Sequence, residues 1–107
     1  MESECVMVWT TIAAAANAGE LASTLVGEGL AACVNVLPEM DSVYRWKGRI
    51  EVDRERQVIM KTTADRVPRI KTRLQQLHDY EIPELMVLRI VDGSDAYLRW
   101  VRESTAG

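Results

Sequence analysis

The sequence predicts an α+β fold, and the prediction rests on the order in which its segments follow one another. Strand-like segments rich in β-branched and aromatic residues alternate with two amphipathic helical segments, and a third helical segment comes last. The order is therefore β-α-β-β-α-β plus a C-terminal helix, which is that of the split β-α-β, or ferredoxin-like, sandwich. A length of 107 residues favours a single domain over residues 1–107.

The first half of the chain predicts a strand, a helix and a second strand, at residues 5–11, about 14–29 and 32–37. The segment CVMVWTT is β-branched and aromatic, as expected for a buried strand. Leu21, Leu25 and Val26 recur at helical spacing, and Gly29 marks a C-terminal stop for the helix. The segment ACVNVL predicts the second strand, interrupted at Pro38.

Extended segments on both sides of Lys47-Gly48 predict a long β-hairpin with Gly48 at positive φ. A return strand over residues 49–62 would span about 45 Å, at roughly 3.3 Å per residue. A chain of this length has a radius of gyration of only about 13 Å, so the hairpin tip should extend beyond its own sheet. Alternation predicts an apolar edge of Tyr44 and Trp46, with the charged residues facing water. An exposed aromatic edge strand promotes aggregation unless another chain packs against it, so we expect a homo-oligomer with both residues at its interface.

The second half predicts a helix at residues 65–78, a strand at 85–91 and a last helix at 95–103. Val67, Ile70, Leu74 and Leu77 share one helical face, which indicates packing against the sheet. The apolar run LMVLRIV is typical of a central strand. Ser94 is placed to cap the last helix.

Composition narrows the classes of partner. The net charge of −3 and the absence of a basic stripe disfavour nucleic acid. No apolar run reaches the roughly 18 residues of a membrane span, and the first residues lack the basic region of a signal peptide. Two cysteines without close spacing do not suggest a disulfide scaffold. We therefore expect a cytoplasmic protein with neither nucleic acid nor membrane as a partner.

Three stretches match one known family in the right order: GLAACVNVLPEMDSVYRWKGRIE at residues 29–51, VIMKTT at 58–63 and YEIPELMVLRIVDGSDAYLRWV at 80–101. On these residues the chain resembles the CutA divalent-ion tolerance proteins. The resemblance implies a homotrimer of ferredoxin-like subunits whose long hairpins pair across subunit boundaries. It also implies an architecture like that of the PII signalling trimers, whose ligands bind between subunits, and a link to copper and other divalent metals. It implies no organic cofactor and no reaction.

The same resemblance bears on metal ligands. Some members have a cysteine at the end of the first strand and two adjacent histidines, followed by proline, before the tyrosine. Thr10, Leu77 and Asp79 occupy three of these positions here, so His78 is the ligand that remains. The alternative for His78 is a helix end, where an imidazole bonds the last free carbonyl groups.

Cys33 is the second candidate metal ligand, because a thiolate suits Cu(I). A pocket formed by Cys33, Cys5 and Met7 would require all three side chains to face the same way. The alternative is a small apolar core residue, since free cysteine is among the most buried residue types.

Lys61, Tyr80 and Glu84 are candidates for an inter-subunit cleft. Lys61 lies among apolar residues late in the return strand, and Glu84 directly precedes a strand, so each needs a partner. We expect a Lys61–Glu84 ion pair that serves either structure alone or a ligand cleft.

Three functions follow from these candidates. The first is a trimer that binds or responds to copper or another divalent metal through His78 and Cys33. The second is a PII-like sensor that binds a small anionic metabolite between subunits. The third is an enzyme with a Cys33–His78 nucleophile pair. The sequence contains no nucleophile elbow, HExxH or CxxC motif, so we expect no enzyme.

Overall fold

The structure is a computed structural model that describes residues 3–78 and 80–105. Its helices and strands are β1 (Cys5–Ala13), α1 (Ala18–Gly27), β2 (Cys33–Trp46), β3 (Arg49–Thr63), α2 (Val67–Leu77), β4 (Met86–Arg89) and α3 (Asp95–Thr105). The strands form one antiparallel sheet in the order β2-β3-β1-β4. The predicted ferredoxin-like α+β fold is therefore confirmed. Asp79, which occupies the position of the family's proline, lies outside the described residues.

One face of the sheet is covered by α1 and α2. Leu25 of α1 and Leu74 of α2 are fully buried in a cluster that includes Val8 of β1 and Met60 of β3. Alternate residues of each strand point into this cluster, because successive side chains of a strand face opposite sides of the sheet. Val26, predicted to belong to the buried face of α1, is exposed instead.

The opposite face is covered by α3 at one end only, where Cys5, Ala32 and Val101 form a small second cluster. The strand register aligns Leu88 with Met7, and Met86 with Trp9 and Ile59. We call these five residues, which share this side of the sheet, the open face. Met86 and Leu88 are 48% and 37% exposed, which leaves an apolar surface beside α3.

The long hairpin formed by β2 and β3 gives the molecule its elongated shape. Lys47 and Gly48 both have positive φ, 49° and 79°, as in the two-residue turn that suits tightly twisted strands. The molecule measures 46 × 25 × 24 Å and has a radius of gyration of 14.5 Å, in line with the predicted extension of the hairpin.

The faces of the hairpin tip differ from the prediction. Tyr44 pairs with Glu51 and Trp46 with Arg49, so charged residues share the face of the aromatic rings. The exposed apolar residues Val43, Ile50 and Val52 lie on the other face. The reason is the two-residue turn, which aligns odd positions of one strand with even positions of the other.

The start of α1 and the end of β2 also differ from the prediction. Helix α1 begins at Ala18 and not near Ala14, because the side chain of Asn17 accepts a hydrogen bond from the backbone N–H of Glu20, 3.0 Å away. Strand β2 continues through Pro38, since a register shift after Val36 removes the need for a backbone donor there.

Strand β4 is an edge strand and not a central one. Its apolar run, which suggested burial on both faces, is exposed in the isolated chain. Of its two sides, only the one facing β1 is paired among the described residues. None of the helices in residues 3–78 and 80–105 has the length and apolarity needed to span a bilayer.

Candidate functional site

A cleft of about 630 Å³ lies between the hairpin and the segment that joins α2 to β4. We call it the acidic cleft. Its lining includes three aromatic side chains and three carboxylates, which are those of Tyr44, Trp46, Tyr80, Glu55, Glu81 and Glu84. Strands β2 and β3 supply Tyr44, Trp46 and Glu55, and the segment after α2 supplies the others. None of the described residues that line it is lysine or arginine.

Glu55 is the most buried charged group of the cleft. Its side chain is only 7% exposed, although it lies on β3 opposite Ala13 of β1 and Met40 of β2. The hydroxyl of Tyr80 donates a hydrogen bond to Oε2 of Glu55 over 2.7 Å. No lysine or arginine of the described chain forms an ion pair with Glu55, so this buried carboxylate is balanced by one phenol only.

Glu84 is held at the cleft by neutral donors. Nε2 of Gln57 donates to Oε2 of Glu84 over 2.7 Å and to the backbone carbonyl of Thr10 over 2.8 Å. The hydroxyl of Thr10 donates to the backbone carbonyl of Glu84 over 2.7 Å. These bonds fix the segment between α2 and β4 against β1 and β3.

Within one subunit, the predicted Lys61–Glu84 ion pair does not form. Nζ of Lys61 donates to the side-chain oxygen of Asn35 on β2. Lys61 lies four residues beyond Gln57 on β3, a distance of about 13 Å along the strand. Of the three residues predicted to share a cleft, Tyr80 and Glu84 line the acidic cleft, and Lys61 does not.

Both tyrosines of the cleft are firmly protonated donors. Burial, and next the hydrogen bond to Glu55, raises the pKa of Tyr80 above its ordinary value. The hydroxyl of Tyr44 donates to the carboxylate of Asp53, and this bond is the largest cause that raises the pKa of Tyr44 to about 12. The phenols therefore add no negative charge to the cleft near neutral pH.

The mouth of the cleft contains a lysine from the hairpin turn. Nζ of Lys47 lies 5.6 Å from the ring centroid of Trp46 and 3.8 Å from Oε2 of Glu81. Both members of the Lys47–Glu81 pair are largely exposed, so the pair is weak. This ammonium group lies beside an aromatic ring and a carboxylate of the cleft.

His78 ends α2 and fixes the turn that follows. Its backbone N–H donates to the carbonyl of Leu74 over 2.8 Å. Nδ1 accepts a hydrogen bond from the backbone N–H of Tyr80 over 3.1 Å, which leaves the proton of the neutral ring on Nε2, directed at the carbonyl of Thr11. Both ring nitrogens are thus engaged within the chain, but the ring bonds the carbonyl of Thr11 on β1 and not, as the helix-end interpretation predicted, a last free carbonyl group of α2.

We expect His78→Ala to lower the free energy of unfolding by about 1–3 kcal/mol, because two hydrogen bonds of about 0.5–1.5 kcal/mol each are lost. His78→Gln should recover part of this loss, since its amide can still donate to Thr11. Chemical unfolding in the presence of a chelator measures the effect without a metal contribution. An alanine variant as stable as the parent would contradict the structural role of His78.

Cys33 lies outside both buried clusters. Its side chain is half-buried on the same side of the sheet as the open face, and Sγ lies 3.8 Å from the side-chain oxygen of Asn35. Cys5 is buried beneath α3, with Sγ 3.8 Å from the carbonyl of Leu98. Met7 and Cys33 both pair with Lys61, from opposite sides of β3. Because β3 lies between their strands, the two strands are roughly 10 Å apart. One subunit therefore does not assemble the Cys33–Cys5–Met7 pocket.

Cys33 and His78 are also far apart. Cys33 is in the row of Lys61, whereas His78 contacts Thr11 in the row of Gln57, about 13 Å away along the sheet. Across residues 3–78 and 80–105, no three side chains of His, Cys, Asp or Glu are grouped closely enough to hold a metal ion.

Glu55 and Gln57, which organise the cleft, were not predicted from the sequence. Both lie in the charged run DRERQ, which looks like a solvated strand. The signal that could have identified them is their spacing along β3. Glu55, Gln57 and Ile59 are alternate residues of this strand, so their side chains lie on the same side of the sheet.

The fold and the open face define a ferredoxin-like subunit with a long hairpin, and comparison with known proteins identifies its family. Residues 6–104 match the family described as CutA1 divalent ion tolerance protein. A divalent-cation tolerance protein CutA of Thermus thermophilus is 41% identical over 99 residues, which cover 92% of this chain and 96% of the relative. The chain belongs to the CutA1 divalent ion tolerance family.

Two further comparisons support this assignment. The solved structure of the divalent cation tolerance protein of Thermus thermophilus matches with a TM-score of 0.91 at 40% identity, over 95% of this chain and 99% of that one. A chloroplastic CutA protein of Arabidopsis thaliana is 37% identical over 94% of this chain. The chain spans 55% of that relative's length.

Proposed function

We propose that the protein is a cytoplasmic homotrimer that serves divalent-metal tolerance by binding copper or another divalent ion at ligands shared between subunits. The observation that carries the proposal is the position of Cys33, a half-buried thiol on the side of the sheet that α3 covers at one end only. A single subunit lacks a group of three potential ligands among its described residues, and a trimer multiplies each ligand threefold. His78 is the second candidate ligand, and it would have to give up a hydrogen bond to Thr11 or Tyr80.

Surface chemistry supports the oligomer in this proposal. The open face is apolar, and β4 has an unpaired edge in the described chain. The hairpin tip carries Tyr44 and Trp46 on one face and exposed Val43 and Ile50 on the other. These surfaces suit a PII-like arrangement, with Tyr44 and Trp46 near a subunit boundary.

A copper titration tests the metal site. We expect the parent protein to bind Cu(I) stoichiometrically and Cys33→Ser to weaken binding by about tenfold or more, because a thiolate is the preferred soft ligand. Cys5→Ala is the matched control, since it removes the other thiol of the chain, which is buried. His78→Ala reports whether the imidazole contributes. Binding that is equally tight in Cys33→Ser would refute this site.

The other two functions have less support. A small anion would meet the carboxylates of Glu55, Glu81 and Glu84 in the acidic cleft, which disfavours the metabolite sensor in its anionic form. A nucleophile needs a base within hydrogen-bond reach, and the separation of Cys33 from His78 does not provide it. We therefore propose binding in preference to catalysis.

A further inference from the structure

We propose that the acidic cleft is completed by a second copy of the chain, whose Lys61 supplies the counter-charge for Glu55. This contact rests on the homotrimer of the proposed function and specifies how one subunit is held against the next. It follows from the charges on the two halves of one side of the sheet, which is the side that carries the open face.

The hairpin half of this side carries carboxylates that its own chain does not neutralise. Glu55 is 7% exposed and receives one described hydrogen bond, from the hydroxyl of Tyr80 to Oε2. Glu84, in the same cleft, is bound by the neutral amide of Gln57. The ammonium group of Lys47 lies at the mouth of the cleft, but the carboxylate that it contacts is that of Glu81, over 3.8 Å. A cation from outside the chain is therefore missing at Glu55.

The other half of the same side carries a cation without a carboxylate. Lys61 lies on β3 between Met7 of β1 and Cys33 of β2, and its Nζ donates to the neutral side chain of Asn35. No ion pair joins it to a described carboxylate. Lys61 is thus a charge that the body of this side offers to a partner.

The remaining cations of the four strands are less well placed to serve a partner's cleft. One lies beside Trp46 at the hairpin tip, and the others point to the helical side of the sheet: Arg49 is the first, and Arg45, Arg54, Arg56 and Arg89 are the others. Three of those on the helical side, which are Arg54, Arg56 and Arg89, already have carboxylate partners within the chain.

Burial of this side in an oligomer makes Lys61 and Glu55 depend on each other. Lys61 is half-buried already and borders Met7 of the open face, so a subunit that covers the open face also takes water from its ammonium group. A charged group that loses water without gaining an opposite charge opposes association strongly. Contact between Lys61 of one subunit and Glu55 of the next removes this cost for both groups.

The contact is out of reach within one chain. Glu55 and Lys61 lie six residues apart on β3, which is about 20 Å along an extended strand and more than a lysine side chain can span. In a ring of identical subunits, every interface joins two different patches, so the half that carries Lys61 can meet the acidic half of the next subunit. The charge pattern therefore suits a closed ring.

A double-mutant cycle on subunit association tests the contact. We expect Glu55→Gln and Lys61→Met each to weaken association by about tenfold or more in a light-scattering dilution series, because each leaves one buried charge unpaired. The double variant should associate at least as tightly as either single variant, since neither charge is left over. Lys71→Met is the matched control, because it removes an exposed ammonium group from α2, and it should leave association unchanged.

Exchange of the two charges provides a second test. Glu55→Lys and Lys61→Glu should each give a monomer of about 12.1 kDa, because like charges then meet at the boundary. The two substitutions combined in one chain should restore the trimer. Since positions 55 and 61 are too far apart to touch within a subunit, this restoration would come from contact between chains.

Failure of the contact and failure of the homotrimer are distinguishable. A monomeric parent protein would overturn both. If the parent is a trimer but Glu55→Gln and Lys61→Met weaken association independently, only the contact is overturned. The same holds if the charge-exchanged variant is folded by circular dichroism and stays monomeric.

Discussion

Leu25→Ala is expected to lower the free energy of unfolding by about 2–5 kcal/mol, the range found when a large buried side chain is cut to alanine. Leu25 is fully buried on α1, in the cluster that joins both helices to β1 and β3. Its removal loses the transfer free energy of the side chain and leaves a cavity, because the surrounding strands relax only in part. Urea unfolding at one fixed protein concentration measures the loss, since oligomer stability depends on concentration.

Val26→Ala is the control for this prediction. Val26 is the next residue of the same helix but is 43% exposed, so its truncation should change the free energy of unfolding by about 0.5 kcal/mol or less. Losses of similar size in both variants would mean that α1 does not pack on the sheet through Leu25.

Leu88→Lys is expected to convert the proposed trimer into a monomer. Leu88 lies on the open face, in register with Met7, and an ammonium group buried at an apolar interface costs several kcal/mol for each subunit. Light scattering should give about three times 12.1 kDa for the parent protein and about 12.1 kDa for the variant. The monomer should also lose copper binding if the ligands are shared between subunits.

Val26→Lys is the matched control, because it places the same charge on the helical side of the sheet. It should leave the mass unchanged. A parent protein that is monomeric at micromolar concentration would contradict the oligomer, and a trimeric Leu88→Lys would move the interface away from the open face.

The sequence was sufficient for the fold because its strongest signals are local. Neighbouring residues set three of these signals, namely the spacing of Leu21 and Leu25, the two-residue turn at Lys47-Gly48 and the cap at Ser94. In the cap, the hydroxyl of Ser94 accepts a hydrogen bond from the backbone N–H of Tyr97 over 3.2 Å. The resemblance to the CutA family implied the same ferredoxin-like fold as these local signals.

The features that the sequence did not predict depend on residues far apart in the chain. Strand β4 looked central because its apolar run LMVLRIV is interrupted only by Arg89, but an edge strand in an assembly can have the same composition. In the cleft, Glu55 contacts Tyr80, which comes 25 residues later in the chain. The two residues meet because the segment after α2 passes around β1. Lys61 was paired with Glu84 because each charged group needs a partner, and within one subunit the strand register separates Lys61 from Gln57, which bonds Glu84.

The strand order has a consequence for how the chain folds. Strand β1 pairs Val6 with Thr62 and with Arg89, so its partners are synthesised long after it. The hairpin of β2 and β3 closes through a two-residue turn and can form within microseconds, whereas the contacts of β1 have a high sequence separation. We therefore expect the hairpin to form first and the insertion of β1 beside it to limit the folding rate. Until then, the apolar first strand has no partner and is the segment most in need of protection from aggregation.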